Sequence, residues 1–317
     1  MSAAPQAIGV DVGGTKIAAL RVSADGTVSA RATRRTPATD QAATLSAIDE
    51  AVDEVRTDGV AAIGVGAAGL IDVHRGVLLS SPNLSWRHVA LRERLLSSFG
   101  LPVTVDNDAT TGAWAESVLG ASRDVANSLF VGVGTGIGGG IVQDGRLVRG
   151  AHGFAGEIGH LIVEPGGPPC GCGNRGCWEQ VASGSAIARA ARADVAARPD
   201  GAIARLVDGD PARVTGELVT DAARQGDDEA RAILAEVGRR LGEGIAGLVN
   251  VLDPEIVVLG GGAAEASDLL LEPLREAYDD AVEGADVRPD VPIVPASLGN
   301  DAGAIGAALV AMERAGG

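Results

Sequence analysis

Ala7-Ile8-Gly9-Val10-Asp11-Val12-Gly13-Gly14-Thr15-Lys16 carries an apolar run into a glycine turn, and Ile17 to Val22 carries a second run out of it. Asp25-Gly26 follows, a pair suited to the positive φ angles of a hairpin. The reading is strand, glycine-rich turn, strand, hairpin. The same arrangement restarts further on. Ser128 to Val133 is a strand, Gly134-Thr135-Gly136 a turn, Ile141-Val142 a strand, and Asp144-Gly145 the next hairpin pair. Gly14-Thr15 aligns with Gly134-Thr135 at an offset of 120 residues, and Asp25-Gly26 with Asp144-Gly145 at 119. This reads as internal duplication, with coincidence between two glycine-rich hairpins as the alternative. Duplication implies two similar α/β domains facing each other, each offering one Gly-Thr turn.

The rest of the chain completes that pattern. Periodicity predicts helices over Ala42–Val55, Ala186–Ala197 and Asp227–Asn250, the last broken at Pro254. Buried strands are expected at Ala61–Val65, Pro102–Val105 and Ile256–Leu259. A helix should begin at Asn107-Asp108, and the last helix should run from Ala302 to about Arg314. Residues 198–210 are expected to be a mobile surface segment. The expected domains are residues 1–109 with 302–317, and residues 110–301.

Composition narrows the chemistry. The chain has 317 residues, 46% hydrophobic but only 2% aromatic, so its cores must be built from Ala, Val, Leu and Ile. Stacking platforms for single-stranded nucleic acid need aromatics. A net charge of −16 opposes phosphate backbones, so no nucleic-acid partner is expected. No secretory signal and no long uncharged apolar run is visible, so no membrane association is expected and a cytoplasmic location is the default. The three cysteines, Cys170, Cys172 and Cys177, are odd in number and tightly clustered. That pattern suits metal ligands better than disulfides.

The turn Asp11-Val12-Gly13-Gly14-Thr15-Lys16 suits phosphate. Its glycines let backbone N–H groups approach anionic oxygens, Thr15 adds a hydroxyl, and Asp11 suits a hydrated Mg2+. One such loop alone is equally an ordinary hairpin turn. It is not a P-loop, because the order is Gly14-Thr15-Lys16 and a strand follows. Gly134-Thr135-Gly136-Ile137-Gly138-Gly139 satisfies the dinucleotide pattern, but it too opens a strand where that fingerprint needs a helix.

Cys-x-Cys-x4-Cys with upstream His160 supplies the four ligands of a closed, structural zinc site: His160, Cys170, Cys172 and Cys177. Three reduced buried thiols are the alternative. Glu157 and His160 share a face of a helical turn, and Glu179 lies two residues beyond the last cysteine. Two carboxylates and an imidazole donor held by one metal suit a ring of sugar hydroxyls; the alternative is two surface acids. Asn107-Asp108 stands at a strand end before a helix, where one residue can cap the helix while the other accepts a hydroxyl proton.

Together these residues closely resemble the ROK family (repressor, open reading frame, kinase), within it the bacterial glucokinases. The resemblance spans nearly the whole chain. It rests on Asp11-x-Gly-Gly-Thr15, Asn107-Asp108-Ala109, Gly132-x-Gly-Thr-Gly136-Ile-Gly-Gly, Gly156-Glu-x-Gly-His160, Cys170-x-Cys-Gly-x-x-Gly-Cys177-x-Glu179 and Gly260-Gly-Gly262. It implies a two-domain actin-like ATPase (ribonuclease H-like) fold, with duplicated βββαβαβα-type domains and an interdomain cleft, as a homodimer or homotetramer. It further implies ATP-dependent phosphorylation of glucose at the 6-hydroxyl, with Mg2+ accompanying ATP and one structural Zn2+ per chain. Asp108 would be the general base. Asn83, Asn107, Asp108, Glu157, His160 and Glu179 would bind the sugar. Asp11, Gly13, Gly14, Thr15, Lys16, Gly134, Thr135, Gly136, Gly260, Gly261 and Gly262 would bind the nucleotide and its metal. The first phosphate strand begins near residue 7, so the DNA-binding domain of the family's repressors is not expected here. A kinase for N-acetylmannosamine, mannose or fructose, polyphosphate as donor, and a non-catalytic sugar sensor remain alternatives.

Overall fold

A computed structural model describes residues 5–81, 84, 86–262 and 266–316. The chain groups into two compact units. The first is Met1–Phe130 with Gly139–Gly156 and Ala296–Gly317; the second is Val131–Gly138 with Glu157–Pro295.

The first unit holds β1 (Gln6–Val12), β2 (Lys16–Ser23), β3 (Val28–Arg35), β4 (Val60–Ala67), a small antiparallel sheet of β5 (Leu70–Asp72), β6 (Val77–Ser80) and β7 (Arg87–Val89), and β8 (Val103–Asn107). The main sheet has the order β3-β2-β1-β4-β8. The first three strands pair antiparallel, while β4 lies parallel to both β1 and β8. Further along come β9 (Ser128–Val133), β10 (Ile137–Gln143), β11 (Arg146–Leu147), β12 (Ile256–Gly261) and β13 (Ile293–Pro295). Their order is β11-β10-β9-β12-β13, the same topology over again, and the division between units runs through β9 and β10. The duplication read from two Gly-Thr turns is therefore a duplication of whole sheets.

Alternation along β1 and β2 splits the first unit's core into two layers. Ile8, Val10, Val12 and Ile17 pack with Ile48, Val52, Leu78, Leu91 and Leu95 on one face. Ala7, Leu20 and Ala62 pack with Ala304, Ile305 and Ala308 on the other. That second face is built from small residues, so the helix Ala302–Gly316 can approach very closely. A Cβ on Gly9 would stand 1.7 Å from the Ala304 carbonyl oxygen, and one on Gly64 1.9 Å from that of Ala307. Gly306 on the same helix lets the helix Asp108–Val118 approach in turn, since a Cβ there would stand 1.7 Å from the Thr111 carbonyl oxygen. Buried Glu116 ties this helix to the segment before Asp301. Its carboxylate accepts the N–H groups of Ser297 (3.2 Å), Leu298 (2.8 Å) and Ala121 (2.7 Å).

Residues 198–210 differ from expectation. They contain a short helix, Ala202–Leu206, whose Ile203 and Ala204 are buried along with Val207. Three apolar side chains spaced for one face tie down a stretch whose composition reads as surface loop. Among the described residues, no helix is long and apolar enough to cross a membrane.

Candidate active site

In the first unit, parallel pairing sets Asp11 opposite Gly66, Gly66 opposite Asp106, and Ala67 opposite Asn107. The C-terminal ends of β1, β4 and β8 therefore come together, the place where such sheets expose chemistry. The turn after β1 closes with the Gly13 N–H donating to the Lys16 carbonyl at 3.0 Å, leaving Thr15 and Lys16 exposed. The Thr36 hydroxyl donates to the Gly13 carbonyl at 2.8 Å and braces the turn from β3.

Asn107 caps the helix that starts at Asp108. Its Oδ1 accepts the N–H groups of Ala109 (2.9 Å) and Thr110 (3.1 Å), and its Nδ2 donates to the Gly69 carbonyl at 3.3 Å. An amide nitrogen has two hydrogens, and among the described residues one of those on Nδ2 is engaged, by Gly69. Asp108 is half-buried at the first position of the helix. Burial pushes its carboxyl above the usual carboxylate range, partly opposed by the Ala109 N–H. Burial, reinforced by the Asp108 charge, also pushes the Asp11 carboxyl up to about 7, while Lys16 pulls the other way. Gly303 packs beside it, and a Cβ there would stand 3.2 Å from the Asp11 carboxyl carbon, closer than ordinary contact. Two carboxyl groups with raised proton affinity at one sheet edge are suited to handling a proton or a cation.

Sequence reasoning missed what surrounds this edge. Asp106, one residue before Asn107, is 4% exposed and pairs with Arg149 at 2.7 Å. Arg31 forks onto Asp301, with Nη1 donating to Oδ1 at 2.7 Å.

In the second unit, Glu157 precedes a single 3-10 turn, Ile158–His160. Gly159 sits directly on the start of β10, where a Cβ would stand 2.1 Å from the Ile137 carbonyl oxygen. The cysteine segment is a tight knot. The Cys170 N–H donates to the Asn174 carbonyl at 2.8 Å, and the Gly173 N–H to the Cys170 carbonyl at 3.0 Å. Gly176, at φ 71°, allows the Glu164 carbonyl to pass where a Cβ would stand 1.7 Å from it. Trp178, 1% exposed, pins the knot to the helix Asp228–Leu252, its Nε1 donating to the Arg240 carbonyl at 2.9 Å.

These elements bring His160, Cys170, Cys172 and Cys177 together, one ligand atom from each lying within 4.8 Å of the others. Cys172 and Cys177 Sγ are 3.6 Å apart, and Cys170 Sγ and His160 Nδ1 3.7 Å. Ligands of a tetrahedral ion with metal–sulfur bonds of about 2.3 Å stand roughly 3.8 Å apart. The donor set therefore fits one zinc-like ion with His160 bound through Nδ1. The other ring nitrogen, Nε2, faces the Glu157 carboxylate at 3.7 Å. Glu179 Oε1 lies 3.8 Å from Nδ1 and 3.0 Å from Cys170 Sγ.

The second glycine turn adjoins this cluster. Its Gly134 and Thr135 carbonyls accept the N–H groups of Gly184 (2.9 Å) and Ser185 (3.3 Å), at the start of the helix Gly184–Ala197. Gly136 lies against Glu179. Gly260 and Gly261 end β12, and Gly261, at φ 68°, would place a Cβ 2.6 Å from the Val133 carbonyl oxygen just before that turn. The structure thus gathers Asp11, Gly13 to Lys16, Asn107 and Asp108 in one unit. It gathers Gly134 to Gly136, Glu157, His160, the cysteines, Glu179 and Gly260 to Gly262 in the other. Asn83 lies outside the described residues.

Residues 7–314 match the ROK family. The chain is 40% identical over 309 residues to a glucokinase of Streptomyces coelicolor, covering 96% of this chain and 97% of that one. It is 38% identical over 314 residues to a glucokinase of Thermotoga maritima, covering 98% of each. Among solved structures it resembles a ROK family glucokinase from Streptomyces griseus in complex with glucose and AMPPNP. The TM-score is 0.90 at 40% identity, covering 97% of this chain and 99% of that one.

Proposed function

This chain belongs to the ROK family, and we propose that it is a glucokinase, moving the γ-phosphoryl group of ATP onto the 6-hydroxyl of glucose. The products are glucose 6-phosphate and ADP. The observation that carries this reading is the full-length likeness to the enzyme solved with glucose and AMPPNP.

The roles follow from the chemistry of each residue. Asp108 takes the proton of the 6-hydroxyl as the O6–phosphorus bond forms and the bridge to ADP breaks. Its raised proton affinity fits a general base better than that of a solvated aspartate. Glu157 and Glu179 accept sugar hydroxyls, His160 Nε2 and the spare Asn107 hydrogen donate to them, and Asn83 is assigned to the same sugar. The turns at Gly13–Lys16 and Gly134–Gly136 offer N–H and hydroxyl donors to phosphates, and Gly260 to Gly262 the nucleotide loop. Asp11 suits Mg2+, which when bound neutralises phosphate charge. The Cys3His set suits one zinc ion per chain, whose four protein ligands leave no open position for catalysis.

The setting we propose is cytoplasmic, as a homodimer or homotetramer, with neither nucleic acid nor membrane as partner. An assay of hexose 6-phosphate formation over a panel of hexoses, with Mg-ATP and with polyphosphate as donors, tests the reading. Glucose with ATP should give the highest kcat/KM. Preference for another hexose or donor would replace the assignment, and sugar binding without phosphorylation by either donor would make the protein a sensor.

A further inference from the structure

The corner that carries Asp108 adjoins an ion pair outside the assigned machinery, between buried Asp106 and half-buried Arg149. Asp106 is 4% exposed, and its two carboxylate oxygens have different tasks. Oδ1 accepts the Asn107 backbone N–H at 3.0 Å, and Oδ2 accepts Arg149 Nε at 2.7 Å. The peptide between Asp106 and Asn107, one residue before Asp108, is thereby tied through Asp106 to Arg149.

Arg149 is itself fixed. Its carbonyl accepts the Ala155 N–H at 3.1 Å and closes the loop that leads into Glu157. Gly153, at φ 88°, packs that loop on the Ile71 carbonyl, where a Cβ would stand 2.9 Å away. Gly156, at φ 95°, packs it on the Gly139 carbonyl, where a Cβ would stand 2.7 Å from the oxygen. The charge of Arg149 also reaches Glu313, which accepts Trp114 Nε1 at 2.8 Å. Trp114 lies on the helix that Asp108 begins. One guanidinium therefore sits among the strand before the base, the helix after it and the loop running to the sugar residues.

We propose that Arg149 is a positioning residue for phosphoryl transfer, acting through Asp106 to set the Asn107–Asp108 corner. The proposal rests on Asp108 being the base. A buried carboxylate that loses its guanidinium partner moves toward solvent or takes a proton, and either response releases the Asn107 N–H. Displacement of a base by a fraction of its working distance slows proton transfer while leaving substrate contacts elsewhere intact.

A double-mutant cycle on the full chain, with its metal, tests this. Arg149→Met should lower kcat roughly 10- to 100-fold with the KM for ATP within about twofold. Arg149→Lys, which keeps the charge but loses the Nε donor geometry, should recover part of that loss. In the Asp108→Asn background, Arg149→Met should cost little further kcat, because the base it positions is already gone. If Arg149→Met does not fold, the cycle is run with Arg149→Lys. Full additivity, or unchanged kcat in either Arg149 variant, overturns the proposal while leaving the base assignment standing. Near-normal kcat in Asp108→Asn alone overturns both.

Discussion

The carboxylate of Glu179 lies against Gly136, so close that a Cβ on Gly136 would stand 2.3 Å from Oε2. The other carboxylate oxygen, Oε1, stands 3.0 Å from Cys170 Sγ. A single side chain thus spans the distance from the metal-ligand cluster to the second glycine turn. In the proposed function these are the sugar and phosphate sides of the reaction.

Gly136→Ala should therefore displace Glu179 rather than unfold the chain, because a carboxylate at the end of a flexible side chain can move cheaply. The expected result is a KM for glucose raised about tenfold or more, the loss of one charge-assisted hydrogen bond. Metal content should stay unchanged. Steady-state kinetics together with metal analysis checks this.

Removing a ligand of the knot should act in the opposite order. Cys172→Ser is expected to lose the metal first, and with it both thermal stability and glucose affinity. His160 and Glu179 are oriented by the same cluster that the metal closes. Protein purified without chelator should carry one zinc per chain by elemental analysis, and the variant close to none. Glucose binding by calorimetry should weaken in step.

Much of this was legible in the sequence because the signals are local. Two Gly-Thr turns and two Asp-Gly hairpins lie within a few residues of the strands they join, and they announced both sheets. The cysteines and His160 fall within eighteen positions, so their spacing alone gave the ligand set. What stayed hidden is made by contacts distant in sequence. Arg149 and Asp106 are 43 residues apart, and nothing in either neighbourhood marks the pair. Gly9, Gly64 and Gly306 read as weak points of strands and a helix until the packing of Ala302–Gly316 shows why they must be small. Ala202–Leu206 was obscured for a related reason. Its composition suits a loop, and only the burial of Ile203 and Val207 makes it a helix.

Gly306→Ala probes that packing. A Cβ would collide with the Thr111 carbonyl, which belongs to a helix and cannot turn aside. The two helices must separate, at a cost of roughly 3 kcal/mol. Chemical denaturation should show the loss, with kcat falling as well because Thr111 lies one turn after Asp108.

The pH dependence of stability follows from Asp11. Its carboxyl is raised from 3.8 to about 7, so between those values the folded chain holds a proton that the unfolded chain has released. Stability therefore falls as pH rises through that window, and the cost of burying the ionised group is complete above it. Mg2+ on the ionised carboxylate offsets that cost. Thermal denaturation should show a larger rise in Tm with Mg2+ near pH 8 than near pH 5. Without Mg2+, Asp11→Asn should be more stable than the parent near pH 8, and should lose the Mg2+ response.

The central claim is that Asp108 accepts the proton of the sugar hydroxyl, and the most direct measurement is turnover of Asp108→Asn with glucose and Mg-ATP, alongside its glucose affinity. The account expects kcat to fall roughly 10²- to 10⁴-fold, with glucose bound within a few-fold of the parent. Turnover close to that of the parent would contradict it.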